Sequence, residues 1–431
     1  MTIKESIKDY LEEQLRVYKS SKDRISRDSH SAERAVKDHI GRWLWELLQN
    51  SDDAHADKVI IQITDKAIYI ADNGNGLQPN AVKSISGTDF SDKTKGTIGR
   101  KGIGFKSVYN ITSNPQVFSG DDGLEFSEEK AKAWLSQNGF SDLELIPYIW
   151  LPFYVSRMQA EEDDTILREL RGYKTVIRLP LAKEPGELSK FKAYSLLPFR
   201  YLRRLEIRRI GDQPHILEIS DKGNGVWTAT DSLIGNSVKW SVLKYSAEPP
   251  EKVKTTLDKS DRQWVEQGIS FLIAAPLDSE GVIHPLDNYL PLHVFYPAEN
   301  DLAPVPLLLH AELLVKSDRT EIIPISDNDF NNWVADELTD RLIVFLHDSY
   351  NASNPAAYLR LIVPLSGIET HHTAKILWDK FITNAQSSLR LPNIKEELTL
   401  AIAEARFINV FVETEKARRL LEETVSKDNL V

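Results

Sequence analysis

The sequence contains no cysteine and only two methionines among its 431 residues. Without cysteine the chain forms neither a disulfide framework nor a thiolate metal site, a composition typical of the reducing cytoplasm. No run approaches the ~20 apolar residues that span a bilayer. The first residues continue directly into a charged helical pattern, so no secretory signal is evident. We therefore expect a cytoplasmic protein with no membrane partner.

Basic residues are outnumbered, with 53 Lys and Arg against 64 Asp and Glu and a formal net charge of -11. This balance argues against a surface built mainly to hold nucleic acid, although a local basic face is still compatible with it. Apolar residues make up 41% and charged residues 27%, as in ordinary globular proteins. The length allows two or three domains.

Hydrophobic spacing and turn signals divide the chain into four predicted regions. These are an N-terminal helix with a linker (1–30), a first α/β domain (31–185), a mixed α/β second domain (186–350) and a helical C-terminal region (351–431). In the first domain, two strands (59–63 and 67–71) flank a turn, and a third covers 173–181. We predict loops over 20–31 and 83–100, and helices over 3–19, 331–347, 373–389 and 395–426.

The first segment that indicates chemistry is a predicted helix around residue 50. Glu46, Asn50 and Asp53 are spaced at i, i+4 and i+7, so they share one face of an otherwise apolar helix. An amide oxygen beside carboxylates suits Mg²⁺, which takes few protein ligands and keeps waters. A carboxylate one turn away could deprotonate an attacking water. The same residues could also form an ordinary solvated face.

The second segment, Asp72-Asn73-Gly74-Asn75-Gly76, follows a predicted strand directly. Glycine at positions 74 and 76 permits positive φ and lets a ligand approach the backbone closely. Asp72, held at the strand end, could accept a hydrogen bond from an adenine amino group. The alternative is a glycine-rich turn in which Asn and Asp have their usual turn roles.

The third segment is glycine-rich and leads into an apolar pattern that begins as a helix. It reads Gly99-Arg100-Lys101-Gly102-Ile103-Gly104-Phe105. Backbone N–H groups at a helix start form a natural phosphate site, and its two basic residues would neutralise an anion. The glycine spacing differs from a Walker A loop. No buried strand leads into it, which also distinguishes it from a dinucleotide fingerprint.

Together these segments resemble the motifs of the GHKL superfamily, which includes DNA gyrase B, heat-shock-90 chaperones, histidine kinases, MutL repair proteins and MORC ATPases. Thr175, in Tyr173-Lys174-Thr175-Val176, resembles the weaker fourth motif, although Gly172 is separated from it here. Residues 101–109 are most similar to the sacsin-type and plant NOV-type branch, and residues 312–319 resemble a segment downstream of the sacsin-type ATP domain. The resemblance implies an α/β sandwich (α+β) ATP-binding domain of the GHKL, or Bergerat, type.

The resemblance also implies a role for each matching residue. Glu46 would activate water, Asn50 would bind Mg²⁺, and Asp53 would support the site. Asp72 would bind adenine beside Gly74 and Gly76, and Thr175 would line the adenine end. Residues 83–100 would form a lid over ATP. The phosphates would be held by Gly99, Arg100, Lys101, Gly102, Ile103, Gly104 and Phe105. Lys316 and Arg319 are candidates for the cation that reaches the γ-phosphate, although a surface salt bridge also explains them.

The leading hypothesis is a slow, Mg²⁺-dependent ATPase whose nucleotide state drives domain rearrangement or dimerisation, in chaperone-like work or in genome maintenance or defence. A homodimer, a partner protein and further domains of a larger system are all compatible with this hypothesis. One alternative is a nucleotide-gated DNA-binding module resembling MutL or MORC proteins, which an arginine cluster around residue 204 would serve. A second is a histidine-kinase-type phosphotransferase using His30, and a third is a non-hydrolysing ATP switch.

Overall fold

A computed structural model describes residues 1–21, 23–37, 43–87, 104–141, 143–181, 191–316, 321–349, 361–362, 364–385, 390–392 and 399–401. The chain forms two compact units. The first comprises Met1–Ser220 with Ala229–Ser237, and the second comprises Asp221–Thr228 with Val238–Val431. Among the described helices, none has both the length and the apolar character needed to cross a membrane.

The first unit is built on a mixed sheet. Its strands are β1 (Lys58–Ile63), β2 (Ala67–Asp72), β3 (Gln116–Ser119), β4 (Asp122–Phe126), β5 (Pro152–Ser156), β6 (Thr175–Pro180), β7 (Arg204–Arg209) and β8 (His215–Asp221). Their order across the sheet is β8-β7-β1-β2-β6-β3-β4-β5. β1 and β7 run parallel, and the other neighbouring pairs are antiparallel. This arrangement confirms the predicted α+β fold class.

The predicted hairpin is confirmed by β1 and β2, which pair from Val59 opposite Asp72 to Ile63 opposite Ile68. Every residue of β2 is buried, so both faces of this strand are covered. Because side chains alternate along a strand, Ala67, Tyr69 and Ala71 share one face of β2. They pack into one apolar cluster together with Phe118, Leu167, Leu170 and Val176. Asp72 lies on the opposite face with Ile68 and Ile70. The predicted third strand is also confirmed, as β6.

The helices of the first unit are α1 (Ile3–Ser20), α2 (Asp23–Lys37), α3 (Trp43–Asp53), α4 (Ala81–Ser86), α5 (Glu128–Gln137), α6 (Arg157–Glu162) and α7 (Thr165–Glu169). The N-terminal helix confirms its prediction, and a capping box at Thr2 and Glu5 fixes its start. The predicted loop over 20–31 is wrong, because most of it belongs to α2. This polar helix is anchored by buried Ile25, Ser29 and Ala32. The predicted loop over 83–100 is wrong at its start, where α4 extends to Ser86.

The second unit contains β10 (Asn236–Ala247), β11 (Ile269–Leu277), β12 (Pro291–His293), β13 (Pro297–Leu302) and β14 (Leu308–Ala311), in the order β10-β11-β14-β12-β13. β9 (Val226–Asp231) precedes them, and short helices cover Glu251–Lys254 and Lys259–Val265. Helices Asp329–Asp348 and His372–Ala385 confirm two helix predictions. The predicted helix over 395–426 is wrong at 399–401, because Thr399–Ala401 pairs with Arg390–Pro392 as a strand.

Candidate functional site

The polar stripe of the first motif lies on α3, as its spacing predicts. Glu46 is only 3% exposed, although it carries a carboxyl group, and it is flanked by the buried Leu44, Leu47 and Leu48. Asn50 and Asp53 are half-buried. A carboxylate is seldom buried to this extent unless a partner or a function holds it there. The explanation of this stripe as an ordinary solvated face is therefore wrong for Glu46.

Asp72 ends β2 and connects three of the sequence motifs. Its carboxylate accepts hydrogen bonds from the Ser51 hydroxyl of α3 at 3.3 Å and from the Gly74 amide at 2.9 Å. It also bonds to the Thr175 side chain, which stands opposite it in β6. The side chain is 4% exposed. Burial raises the pKa of Asp72 to about 6, although these three donors act to lower it.

Glycine is required at two positions of the turn after Asp72. A Cβ at Gly74 would lie 2.5 Å from the carbonyl oxygen of Ala54, the same oxygen that accepts the Asn75 amide at 2.7 Å. Gly76 has φ of +78°, in the left-handed region that glycine adopts freely. The Leu77 amide donates to the hydroxyl of Ser119 at 2.9 Å. The backbone of the turn is thereby fixed to the end of α3 and to β3.

Asp52 is a structural residue of the site that sequence reasoning missed. Its carboxylate is completely buried and accepts the backbone amides of Arg200, Tyr201 and Leu202 at 3.1, 2.7 and 2.8 Å. Burial raises the pKa of Asp52, while these three bonds oppose the rise. Asp52 thereby joins α3 to the segment that leads into β7. The signal in the sequence was the adjacent pair of aspartates at positions 52 and 53.

The glycine-rich segment lies mostly outside the described residues, including Gly99, Arg100, Lys101, Gly102 and Ile103. Gly104 begins a 3-10 helix, Gly104–Asn110, where a helix start was predicted, and this 3-10 helix contacts α3. Phe105 is buried and packs 6.0 Å from Phe126, measured between ring centroids. The described end of the third motif therefore lies next to the first.

The two cations proposed for the γ-phosphate belong to the second unit. Lys316 is half-exposed and forms an ion pair with Glu321. Arg319 lies outside the described residues. The ion pair agrees with the salt-bridge explanation of Lys316, and its role toward the γ-phosphate stays a prediction.

The donor set on α3 fits a hard cation. Among the described residues, no group of three or more His, Asp or Glu side chains is arranged to hold a metal ion. Mg²⁺ does not require such a group, because it is commonly held by one or two protein oxygens together with waters and substrate phosphates. The amide oxygen of Asn50 with the carboxylate of Asp53 on the same helix is suitable for that mode. The buried carboxylate of Asp72 is similarly suited to an adenine amino group.

Comparison with known families identifies the region that carries this site. Residues 41–150 match the family described as histidine kinase-, DNA gyrase B-, and HSP90-like ATPase. The matched range includes α3, the turn after β2, the glycine-rich segment and the 3-10 helix. Thr175 lies outside it.

Two curated relatives share longer stretches with this chain. Protein NO VEIN of Arabidopsis thaliana is 23% identical over 342 residues, which are 74% of this chain and 11% of that protein. Sacsin of Homo sapiens is 26% identical over 182 residues, 35% of this chain and 4% of that protein. The chain thus corresponds to a small part of either relative. A solved N-terminal domain of a DNA repair protein covers 69% of this chain and is itself covered to 91%, at 12% identity and a TM-score of 0.34. At that score the likeness supports no conclusion.

The motifs, the mixed α/β fold and the family match all agree. The chain therefore contains an ATPase-type domain of the histidine kinase-, DNA gyrase B- and HSP90-like family, the GHKL superfamily, and is a homologue of Protein NO VEIN and sacsin.

Proposed function

We propose that this chain binds ATP between α3 and the turn after β2 and hydrolyses it with Mg²⁺. The family implies ATP binding and a nucleotide-linked conformational change. The observation that carries the proposal is the carboxylate of Asp72, which is 4% exposed and whose three donors among the described residues are all neutral. Such a carboxylate has remaining acceptor capacity for the amino group of an adenine. It lies at the end of β2, directly before the turn that carries Gly74 and Gly76.

α3 supplies the proposed chemistry of hydrolysis. Mg²⁺, when bound, would neutralise charge on the phosphates. Asn50 would hold it through its amide oxygen, and Asp53 would support it from the next turn. Glu46 would orient a water molecule and accept its proton, and its burial among leucines restricts bulk water around that carboxylate.

Residues 83–100, of which 88–100 lie outside the described residues, are proposed as the lid, whose closure over ATP would couple the nucleotide state to conformation. The proposal includes homodimerisation and coupling to a partner protein or to further domains. The chain spans only 11% of Protein NO VEIN and 4% of sacsin. Chaperone-like work, genome maintenance and defence are the processes in which we place this cycle.

The DNA-binding alternative receives little support from the arginine cluster. The Arg203 guanidinium donates to the carbonyl oxygens of Phe199, Arg200 and Leu202. Arg204 pairs with Glu218 at 2.7 Å, and Arg208 pairs with Glu206 at 2.8 Å. These three side chains are engaged within the protein, so a phosphate backbone would have to displace existing partners.

The experiment is Mg²⁺-dependent ATP turnover with Glu46→Gln, using Glu129→Gln on the exposed face of α5 as the matched control. We expect Glu46→Gln to bind ATP within about threefold of wild type and to lose turnover by about 10²-fold or more, the usual contribution of a general base. The control should retain both properties. Wild-type turnover in Glu46→Gln would refute the role of Glu46. Absence of ATP binding by the wild type would refute the proposed function itself.

A further inference from the structure

Lys106 follows the glycine-rich segment and is completely buried. Its side-chain nitrogen Nζ donates a hydrogen bond to the carbonyl oxygen of Ile149. The same nitrogen lies 4.4 Å from the ring centre of Phe126 and 4.8 Å from that of Trp150. Among the described residues no carboxylate opposes the effect of burial, which lowers the pKa of Lys106 well below its usual value.

A lysine in this cage is less favourable than an apolar residue of the same length. Burying an amine without an ionic partner is costly, and a methionine would fill the space between the rings without that penalty. What lysine supplies, and methionine lacks, is the N–H donor that binds Ile149. The side chain is therefore better explained by what it holds in place than by packing.

The bond to Ile149 extends toward the N-terminal helices. The indole nitrogen of the neighbouring Trp150 donates to the carbonyl oxygen of Asp28 in α2 at 2.9 Å. The carboxylate of Asp28 in turn accepts from the Tyr18 hydroxyl of α1 at 3.1 Å. The 3-10 helix that carries Lys106 is thus connected through hydrogen bonds to both N-terminal helices.

The residues that precede the glycine-rich segment are bonded to the same helices. Lys83 of α4 forms an ion pair with Glu13 of α1 at 2.7 Å. The Tyr10 hydroxyl of α1 donates to the carbonyl oxygen of Ser86 at 3.2 Å. The described chain on either side of residues 88–103 is therefore attached to α1 and α2.

We propose that Lys106 is a positioning residue for Gly104 and Phe105, the described part of the third motif, and thereby for phosphate binding. Its hydrogen bond to Ile149 holds the 3-10 helix, and with it the end of the glycine-rich segment, against Trp150 and α2. This inference rests on the proposed binding of ATP. It adds that phosphate recognition depends on a buried side chain whose hydrogen bond is made to Ile149 within the protein.

The test compares ATP with adenosine, which lacks phosphates, as calorimetric ligands of the full chain. For Lys106→Met we expect ATP affinity to fall about fivefold to tenfold, the effect of losing one hydrogen bond that orders the site. Adenosine affinity should stay within twofold of wild type, because Asp72 is unchanged. The matched control is Lys132→Met on the exposed face of α5, with no change for either ligand.

The outcomes separate the inference from the proposed function. If wild type binds neither ligand, the proposed function fails. If wild type binds both and Lys106→Met binds ATP as tightly as wild type, or loses both ligands equally, the inference alone is overturned. Should Lys106→Met fold poorly, Trp150→Phe tests the same connection, because it removes the donor to Asp28 and keeps a ring beside Lys106. It should also weaken ATP selectively, whereas Trp134→Phe should not.

Discussion

Replacing Asp72 by asparagine is expected to remove a loss of stability that the nucleotide-free wild type suffers as the pH rises, although the residue is central to the site. Burial raises the pKa of this carboxyl from 3.8 to about 6. A folded-state pKa above the unfolded value means that the folded protein favours the protonated acid. Its contribution to stability is thus present below about pH 4 and is lost as the pH rises through about 6.

The magnitude follows from that shift. Each pKa unit corresponds to about 1.4 kcal/mol, so full ionisation of Asp72 removes about 3 kcal/mol from the free energy of unfolding. Asparagine does not titrate. As the pH rises from 4.5 to 8, the stability of Asp72→Asn relative to wild type should therefore increase by about 2 kcal/mol. Hydrogen bonds that the variant loses to Ser51 or Thr175 lower its stability equally at pH 4.5 and at pH 8. They therefore leave this pH-dependent difference unchanged.

The assay is urea unfolding of the full chain without nucleotide at pH 4.5 and pH 8. Unfolding is monitored by hydrogen exchange of peptides that cover β1 and β2. This readout reports the first unit specifically. Asp65→Asn, at the exposed turn between the same two strands, is the matched control and should show no pH-dependent difference. A stability difference between Asp72→Asn and wild type that is the same at both pH values would refute the reasoning.

Two further substitutions test the packing of the site. Gly74→Ala should destabilise the protein by about 1–3 kcal/mol, because its Cβ would lie 2.5 Å from the Ala54 carbonyl oxygen. The thermal midpoint measures this, and Gly172→Ala, with open space around it, should change little. Asp52→Ala should cost about 3 kcal/mol, since it leaves three backbone N–H groups without their acceptor. Asp52→Asn should lose less of the free energy of unfolding than Asp52→Ala, as measured by urea unfolding. Equal losses in the two variants would contradict the role of the Asp52 carboxylate oxygens.

The sequence was sufficient to predict elements whose apolar pattern is strong and local. The hairpin of β1 and β2 was predictable because β-branched residues flank a short polar turn at Asp65. By contrast, α2 was missed because its sequence is polar on average and has few apolar residues, and it is anchored by Ile25 and Ser29. Propensity and periodicity describe a segment alone, whereas α2 is held by distant residues, such as the Leu145 carbonyl that accepts from Ser29.

The candidate site shows the same limit. Asp72 and Gly74 could be chosen from the sequence because a strand end followed by glycines is a local pattern. Ser119 could not, since it binds the turn from 42 positions away along the chain. Asp52 acts over 148 to 150 positions. Such partners are determined by strand order, which no spacing within one motif reveals.

The most direct test of the account is calorimetric titration of ATP into the wild type and Asp72→Asn in the presence of Mg²⁺. We predict that the wild type binds ATP and that Asp72→Asn binds it at least about tenfold more weakly, which corresponds to ~1.4 kcal/mol. Equal affinity in the two proteins, or no binding by the wild type, would contradict the placement of the nucleotide at this site.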